Sequence, residues 1–168
     1  EYYTKENDLI LENMFGLGSN VLASLYHKRR IVGIECNPQN VDNLNEVCTQ
    51  YFPDQLDDFE LHHADGVTLE NWSEKSEIFD AVILDPPYVL KAENYGCSEW
   101  DIGKLETDAY FDKIDTMMGN LSRLIKQSDN KNRTYHPIII KVGSSRKGET
   151  GIIDMDYEFQ KIAYKNNL

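Results

Sequence analysis

The ten residues from Phe79 to Tyr88, FDAVILDPPY, constrain this chain more than any other stretch. Val82, Ile83 and Leu84 are an apolar run without alternation, the pattern of a short strand covered on both faces. Asp85 then falls at the strand's carboxyl end, where open α/β sheets hold their ligands. Pro86 and Pro87 each fix φ and remove an N–H donor. The turn therefore offers a free Pro86 carbonyl, with the Asp85 carboxylate and the Tyr88 ring beside it. Acceptors next to an aromatic face make a seat for the exocyclic amino group of a flat heterocycle. A stiff turn after a buried strand is the purely structural account of the same residues, so the upstream stretches decide between the two.

Upstream, Leu9 to Met14 predicts a first strand, and Phe15-Gly16-Leu17-Gly18-Ser19-Asn20 a turn into a helix over Val21–His27. Strand, glycine turn and helix bring backbone N–H groups close to a cofactor. Val21 stands where the dinucleotide fingerprint has its third glycine, which counts against a nicotinamide cofactor. Ile31 to Glu35 predicts a second strand ending in an acid that can accept from two ribose hydroxyls. Asn37-Pro38 starts a helix, and Val41, Leu44 and Val47-Cys48 give it a core-facing stripe. Phe59 to Ala64 predicts a third strand, and Asp65 at its end can accept from an adenine amino group. His62 and His63 face opposite ways on such a strand, so a shared metal is not expected. Thr68 to Ser76 predicts a short helix with Trp72 turned inward.

Beyond the proline turn, Val89 to Gly103 is long for a connection and holds Tyr95, Gly96 and Trp100. Connections of that length are often functional or disordered. Thr107 to Lys126 is the longest predicted helix, with apolar residues recurring at threes and fours. Ser128 to Tyr135 is polar. His136 to Val142 predicts a fifth strand, Gly143 to Gly151 a basic loop, and Asp154 to Asn166 a last helix. Strand and helix alternate almost throughout, which predicts an α/β fold with a mostly parallel, doubly wound sheet.

The 168 residues suit one domain, 40% of them hydrophobic. No run approaches the roughly 20 apolar residues of a membrane span. Residues 1–8 are polar, so neither a signal peptide nor a membrane partner is expected, and the setting is read as cytoplasmic or nucleoid-associated. Cys36, Cys48 and Cys97 are odd in number and lack CxxC spacing, which predicts reduced thiols rather than a disulfide framework or a zinc site. The net charge of -12 argues against binding nucleic acid by bulk electrostatics. It leaves room for a basic face: between Arg123 and Gly148 seven lysines and arginines face one acid, Asp129.

The ordered set of glycine turn, Glu35, Asp65 and Asp85-Pro86-Pro87-Tyr88 at successive strand ends resembles the amino-methyltransferases that modify adenine N6 or cytosine N4 in DNA. The resemblance covers the chain from about Leu9 to the basic loop. It implies a Rossmann-like class I methyltransferase fold that uses S-adenosylmethionine, with residues 1–168 as a single domain, whole or part of a longer chain. The family's Phe-x-Gly-x-Gly is represented by Phe15-Gly16-Leu17-Gly18, and its Asp-Pro by Glu12-Asn13, a carboxylate one methylene longer. The antiparallel hairpin that usually completes such a sheet is expected to be missing.

Carried over by position, the resemblance implies that Gly16 and Gly18 let the backbone approach the methionine part of the cofactor. Phe15 packs near it, and Glu12 faces its amino group. Glu35 takes the ribose and Asp65 the adenine. Asp85 and Pro86 hold the target amino group, Pro87 stiffens the turn, and Tyr88 stacks on an everted base. Lys141, Arg146 and Lys147 meet the nucleic acid. Asp before Pro-Pro-Tyr favours adenine. The implied partner is DNA with a flipped base, read by a recognition domain or subunit outside this chain, in restriction-modification or a related role. Two other readings are an RNA base methyltransferase of the ribosomal-RNA guanine-N2 type and a non-catalytic methyltransferase-like subunit.

Overall fold

The apolar runs at Leu9, Arg30 and Ala81 are each too short for a stable helix and too apolar for an edge, so they pair in the middle of one sheet. A computed structural model describes residues 3–88, 100–128, 135–142, 145–147 and 151–168, with side chains left aside at 145–147 and 151–153. Its elements run β1 (Leu9–Asn13), α1 (Ser19–Tyr26), β2 (Arg30–Glu35), α2 (Pro38–Tyr51), β3 (Phe59–His63) and β4 (Ala81–Leu84). They continue with α3 (Thr107–Leu124), β5 (Ile138–Ile140), β6 (Ser145–Lys147), β7 (Gly151–Ile153) and α4 (Met155–Lys165). The main sheet is parallel, in the order β3-β2-β1-β4-β5.

The strand order reverses at β1, so β1 and β4 lie side by side and their carboxyl ends open a crevice between them. Register places Glu12 between Gly33 and Ile83, and Asn13 between Ile34 and Leu84. Strand alternation splits the core in two. Ile10, Ile31 and Ala81 pack with Val21 and Leu25 of α1 and Val41, Leu44 and Cys48 of α2. Leu11, Ile34, Val82 and Leu84 pack on the other face against α3 and α4, through Tyr110, Ile114, Met118 and Phe159 among others. Helices on both faces are what the apolar strands required.

Local signals set the helix ends. Asn37 caps α2 by accepting from the Gln39 N–H at 3.0 Å, with Pro38 in the first turn. Asp154 caps α4 by accepting from the Tyr157 N–H at 3.1 Å.

Several expectations change. The helix over Thr68–Ser76 shrinks to a 3₁₀ turn at Glu70–Trp72; Leu69, left-handed at φ 50, keeps Thr68 and itself out of the helix. Trp72 does pack on the core. The fifth strand is the short Ile138–Ile140. The basic loop contains an antiparallel pair, β6 with β7, separate from the main sheet. Cys48 is buried and free, whereas Cys36 is engaged in a disulfide, which corrects the expectation for that thiol. Tyr95 and Gly96 lie outside the described residues, as do most of the polar stretch after Ser128 and the side chains of Arg146 and Lys147. No described helix is long and apolar enough to cross a membrane. No group of described residues is arranged to hold a metal ion.

Candidate active site at the β1–β4 crevice

The chain leaves β1 through a run of left-handed residues: Met14 at φ 65, Gly16 at φ 58 and Gly18 at φ 80. The Met14 and Phe15 N–H groups both donate to the Ile34 carbonyl, which pins this turn to β2. Glu35 completes the link, accepting from the Gly16 N–H at 2.8 Å and the Asn37 N–H at 2.9 Å. Burial pushes the Glu35 carboxyl up from its ordinary range, and these amides pull against that shift. Asn13 donates to the Gly66 carbonyl at 2.8 Å, tying the end of β1 to the loop after β3.

The two glycines do different work. A Cβ at Gly16 would meet nothing within 4 Å, so this residue faces open space. A Cβ at Gly18 would lie 2.2 Å from Leu44 Cδ2. Gly18 is thus the contact between the glycine turn and α2, and it is not among the residues of the cavity wall.

Glu12 is 2% exposed. Its Oε1 accepts from Asn20 Nδ2 at 2.8 Å, while Oε2 is buried with no hydrogen-bond partner. Burial pushes its pKa up to about 7; the Asn20 amide opposes the shift and the nearby Asp85 charge adds to it.

At the end of β4, Asp85 Oδ2 pairs with Lys141 Nζ at 2.8 Å. The fully buried Tyr110 of α3 donates its hydroxyl to the Pro87 carbonyl at 3.0 Å. From the other side a Cβ at Gly103 would come within 3.1 Å of Pro87 Cβ and 3.3 Å of the Tyr88 carbonyl oxygen. The proline turn is held between α3 and the 3₁₀ turn at Ile102–Lys104.

These groups share one cavity of about 340 Å³, within the size range of small-molecule sites. Glu12, Phe15, Gly16 and Glu35 form one part of its wall, and Asp85, Pro86, Pro87, Tyr88 and Lys141 another. With Phe15 bonded directly to Gly16, Met14 stands at the aromatic position of Phe-x-Gly-x-Gly, and both residues reach the wall. Asp65 does not. Its Oδ1 accepts from the Val67 N–H at 2.8 Å, so it shapes its own turn. The wall also includes residues given no site role from the sequence, among them Asn20, Trp100 and Asp101. The Asp101 carboxylate caps Gly103 N–H at 3.1 Å and pairs with Lys104 at 3.1 Å. The signal for Trp100 and Asp101 was an aromatic residue and an acid closing the long connection after the proline turn.

No family model matches the sequence, and no curated protein resembles it by sequence. Solved structures do match the fold. A TehB-like SAM-dependent methyltransferase from Corynebacterium glutamicum aligns at TM-score 0.55 and 16% identity, over 97% of this chain and 66% of its own. A protein assigned as an rRNA methylase from Clostridium thermocellum aligns at TM-score 0.55 and 14% identity, over 99% and 75%. The [4+2]-cyclase SpnF aligns at 0.63 and 12% identity, over 96% and 52%.

The fold is that of the class I methyltransferases. The chain spans about half the length of some of the structures it matches. The same class I methyltransferase fold carries a cyclase, so the reaction has to be argued from the site.

S-adenosylmethionine is consistent with those neighbours, and the residues present fit it. Glu12 Oε2 is buried in the cavity wall without a hydrogen-bond partner, so a donor entering the cavity finds it unpaired. Gly16 lines the same cavity, and a Cβ on it would meet nothing within 4 Å. Two pH effects are expected. In the free protein the Glu12 carboxyl keeps its proton up to about pH 7, whereas in the unfolded chain it loses it near 4.5. The native state then binds more protons between those values, so stability falls as pH rises through that window, by on the order of 3 kcal/mol in all. Cofactor binding has the opposite sign: a cation favours the carboxylate, so affinity rises with pH up to about 7 and a proton is released. Calorimetry at pH 6.5 in buffers of different ionisation enthalpy measures that proton, and Glu12→Gln should remove it.

Proposed function

We propose that this chain transfers a methyl group from S-adenosylmethionine to an exocyclic amino nitrogen of a base in DNA, adenine N6 before cytosine N4. The observation that carries the reading is the shared cavity: the glycine turn with Glu12 and Glu35, and the Asp85-Pro86-Pro87-Tyr88 turn, open into the same space. When bound, the cofactor supplies an electrophilic methyl on its sulfonium. Glu12 meets the methionine ammonium and Glu35 the ribose.

An exocyclic amino group is a weak nucleophile because its lone pair is delocalised into the ring. Asp85 Oδ1 and the Pro86 carbonyl accept its two N–H groups and draw the nitrogen toward tetrahedral geometry. Asp85 would also stabilise the positive charge that grows on nitrogen as the N–C bond forms and the S–C bond breaks; S-adenosylhomocysteine would be the leaving group, and the methylated nitrogen would give its extra proton to solvent. Holding nitrogen and methyl in line supplies the rest. Everting the base costs a few kcal/mol, and stacking on Tyr88 offsets about 1–3 kcal/mol of it. Lys141 is drawn to the phosphates, together with Arg146 and Lys147, and a recognition domain or subunit outside this chain selects the sequence.

Tyr110 positions this turn. Tyr110→Phe leaves the Pro87 carbonyl unpaired, a cost of about 1–3 kcal/mol. Turnover is expected to fall about 10-fold with the affinity for S-adenosylhomocysteine unchanged; equal losses in both would make Tyr110 a general stabiliser.

The second reading, an RNA base methyltransferase, draws on the neighbours named TrmN, from Thermus thermophilus, and rRNA methylase, from Clostridium thermocellum. Tritium transfer from labelled S-adenosylmethionine separates the two. Label in adenine of DNA supports the first, and label confined to RNA replaces it with the second. A folded sample that binds no S-adenosylmethionine in calorimetry points to a non-catalytic subunit.

A further inference from the structure

The cavity wall has a part that the strand ends do not supply. Trp100 lines it, yet belongs to the connection that returns from β4 to α3. Its ring lies 5.2 Å from the His63 ring, at an interplanar angle of 54°. His63 is fixed in turn: it pairs in register with Glu35 on β2, and its Nε2 sits 3.0 Å from the Cys36 carbonyl. Trp100 is therefore held over the carboxyl ends of β2 and β3, beside Glu35 and Cys36, which also line the cavity. One residue later, Asp101 is buried and caps Gly103, which abuts Pro87 and Tyr88. The segment crosses from the Glu35 side of the cavity to the Asp85 side and is anchored at both ends.

We propose that Trp100 packs against the adenine of the cofactor and sets the affinity for its nucleoside end. The inference rests on the S-adenosylmethionine reading above. It fills a gap that reading leaves, because Asp65, whose Oδ1 accepts from the Val67 N–H, stands outside the wall. An indole beside an anchored imidazole presents a rigid π face, and a purine is a flat partner for it. Glu35 beside it marks the end of the cavity where the ribose belongs, and Glu12, two strands away from β3, marks the methionine end.

The chain carries its own reporter, since Trp72 and Trp100 are its two tryptophans. In a Trp72→Phe background, saturating S-adenosylhomocysteine should quench or shift the Trp100 emission, while L-methionine alone should leave it unchanged. Trp100→Ala should weaken S-adenosylhomocysteine in calorimetry by about 10-fold, and Trp100→Phe should restore most of that loss. Binding with an unchanged Trp100 signal and wild-type affinity in Trp100→Ala overturns the role of Trp100 and leaves the cofactor reading standing. No binding of S-adenosylhomocysteine to the folded Trp72→Phe protein overturns both. If Trp100→Ala fails to fold, the emission response and the Trp100→Phe affinity, expected within about 3-fold of wild type, still decide.

Discussion

Asp85→Ala should lower methyl transfer to adenine-containing DNA by about 100-fold or more while S-adenosylhomocysteine still binds within a few-fold of wild type. The split follows from where the carboxylate sits. Asp85 lies at the β4 end of the cavity, whereas the residues proposed for the methionine and ribose, Glu12, Gly16 and Glu35, belong to β1, β2 and the turn after β1. Its partner, Lys141, has a largely exposed side chain and occupies Oδ2, leaving Oδ1 for the substrate. Removing Asp85 takes away an acceptor that matters most as positive charge develops, so the loss belongs in turnover rather than in cofactor affinity. The Glu12 pKa should fall as well, because the Asp85 charge helps to hold it up. Near wild-type turnover in Asp85→Ala would remove this residue from the mechanism.

Gly18→Ala should destabilise the fold, and Gly16→Ala should do so far less. At Gly18 a methyl meets φ 80 and three Leu44 side-chain carbons between 2.2 and 2.9 Å. Left-handed strain costs about 1–2 kcal/mol and forced repacking about 1–3 kcal/mol more. Together these lower Tm by on the order of 10 °C for a chain of this size. At Gly16 the strain at φ 58 remains but the space is empty, so the stability loss is about 1–2 kcal/mol. The methyl there projects into open space in the cavity wall, and cofactor affinity should suffer instead. Thermal melts and calorimetry on the pair test the contrast; matching losses in stability would show that both glycines serve packing.

That contrast marks how far the sequence could be read. The strand ends were legible because short apolar runs admit few other uses, and their parallel order followed from alternation with helices. The approximate extent of α3 was legible because its periodicity is long. What a glycine faces was not, since the atom that fills the space beside Gly18 belongs to Leu44, on a separate helix. The role of Asp65 was ambiguous for a similar reason: an acid at a strand end can face a ligand or close its own turn, and only coordinates show its Oδ1 on the Val67 N–H. The false helix at Thr68–Ser76 had suitable residues but a left-handed Leu69 at its start.

Glu35 grips the Gly16 and Asn37 amides at once, and so stitches the first crossover to the second. A ribose bound at Glu35, as proposed, would compete for those oxygens and tug on two loops through a single side chain. Arrival of a nucleoside at that strand end would then be felt at the glycine turn, and exchange of the Gly16 and Asn37 amide protons should report it as a concerted change.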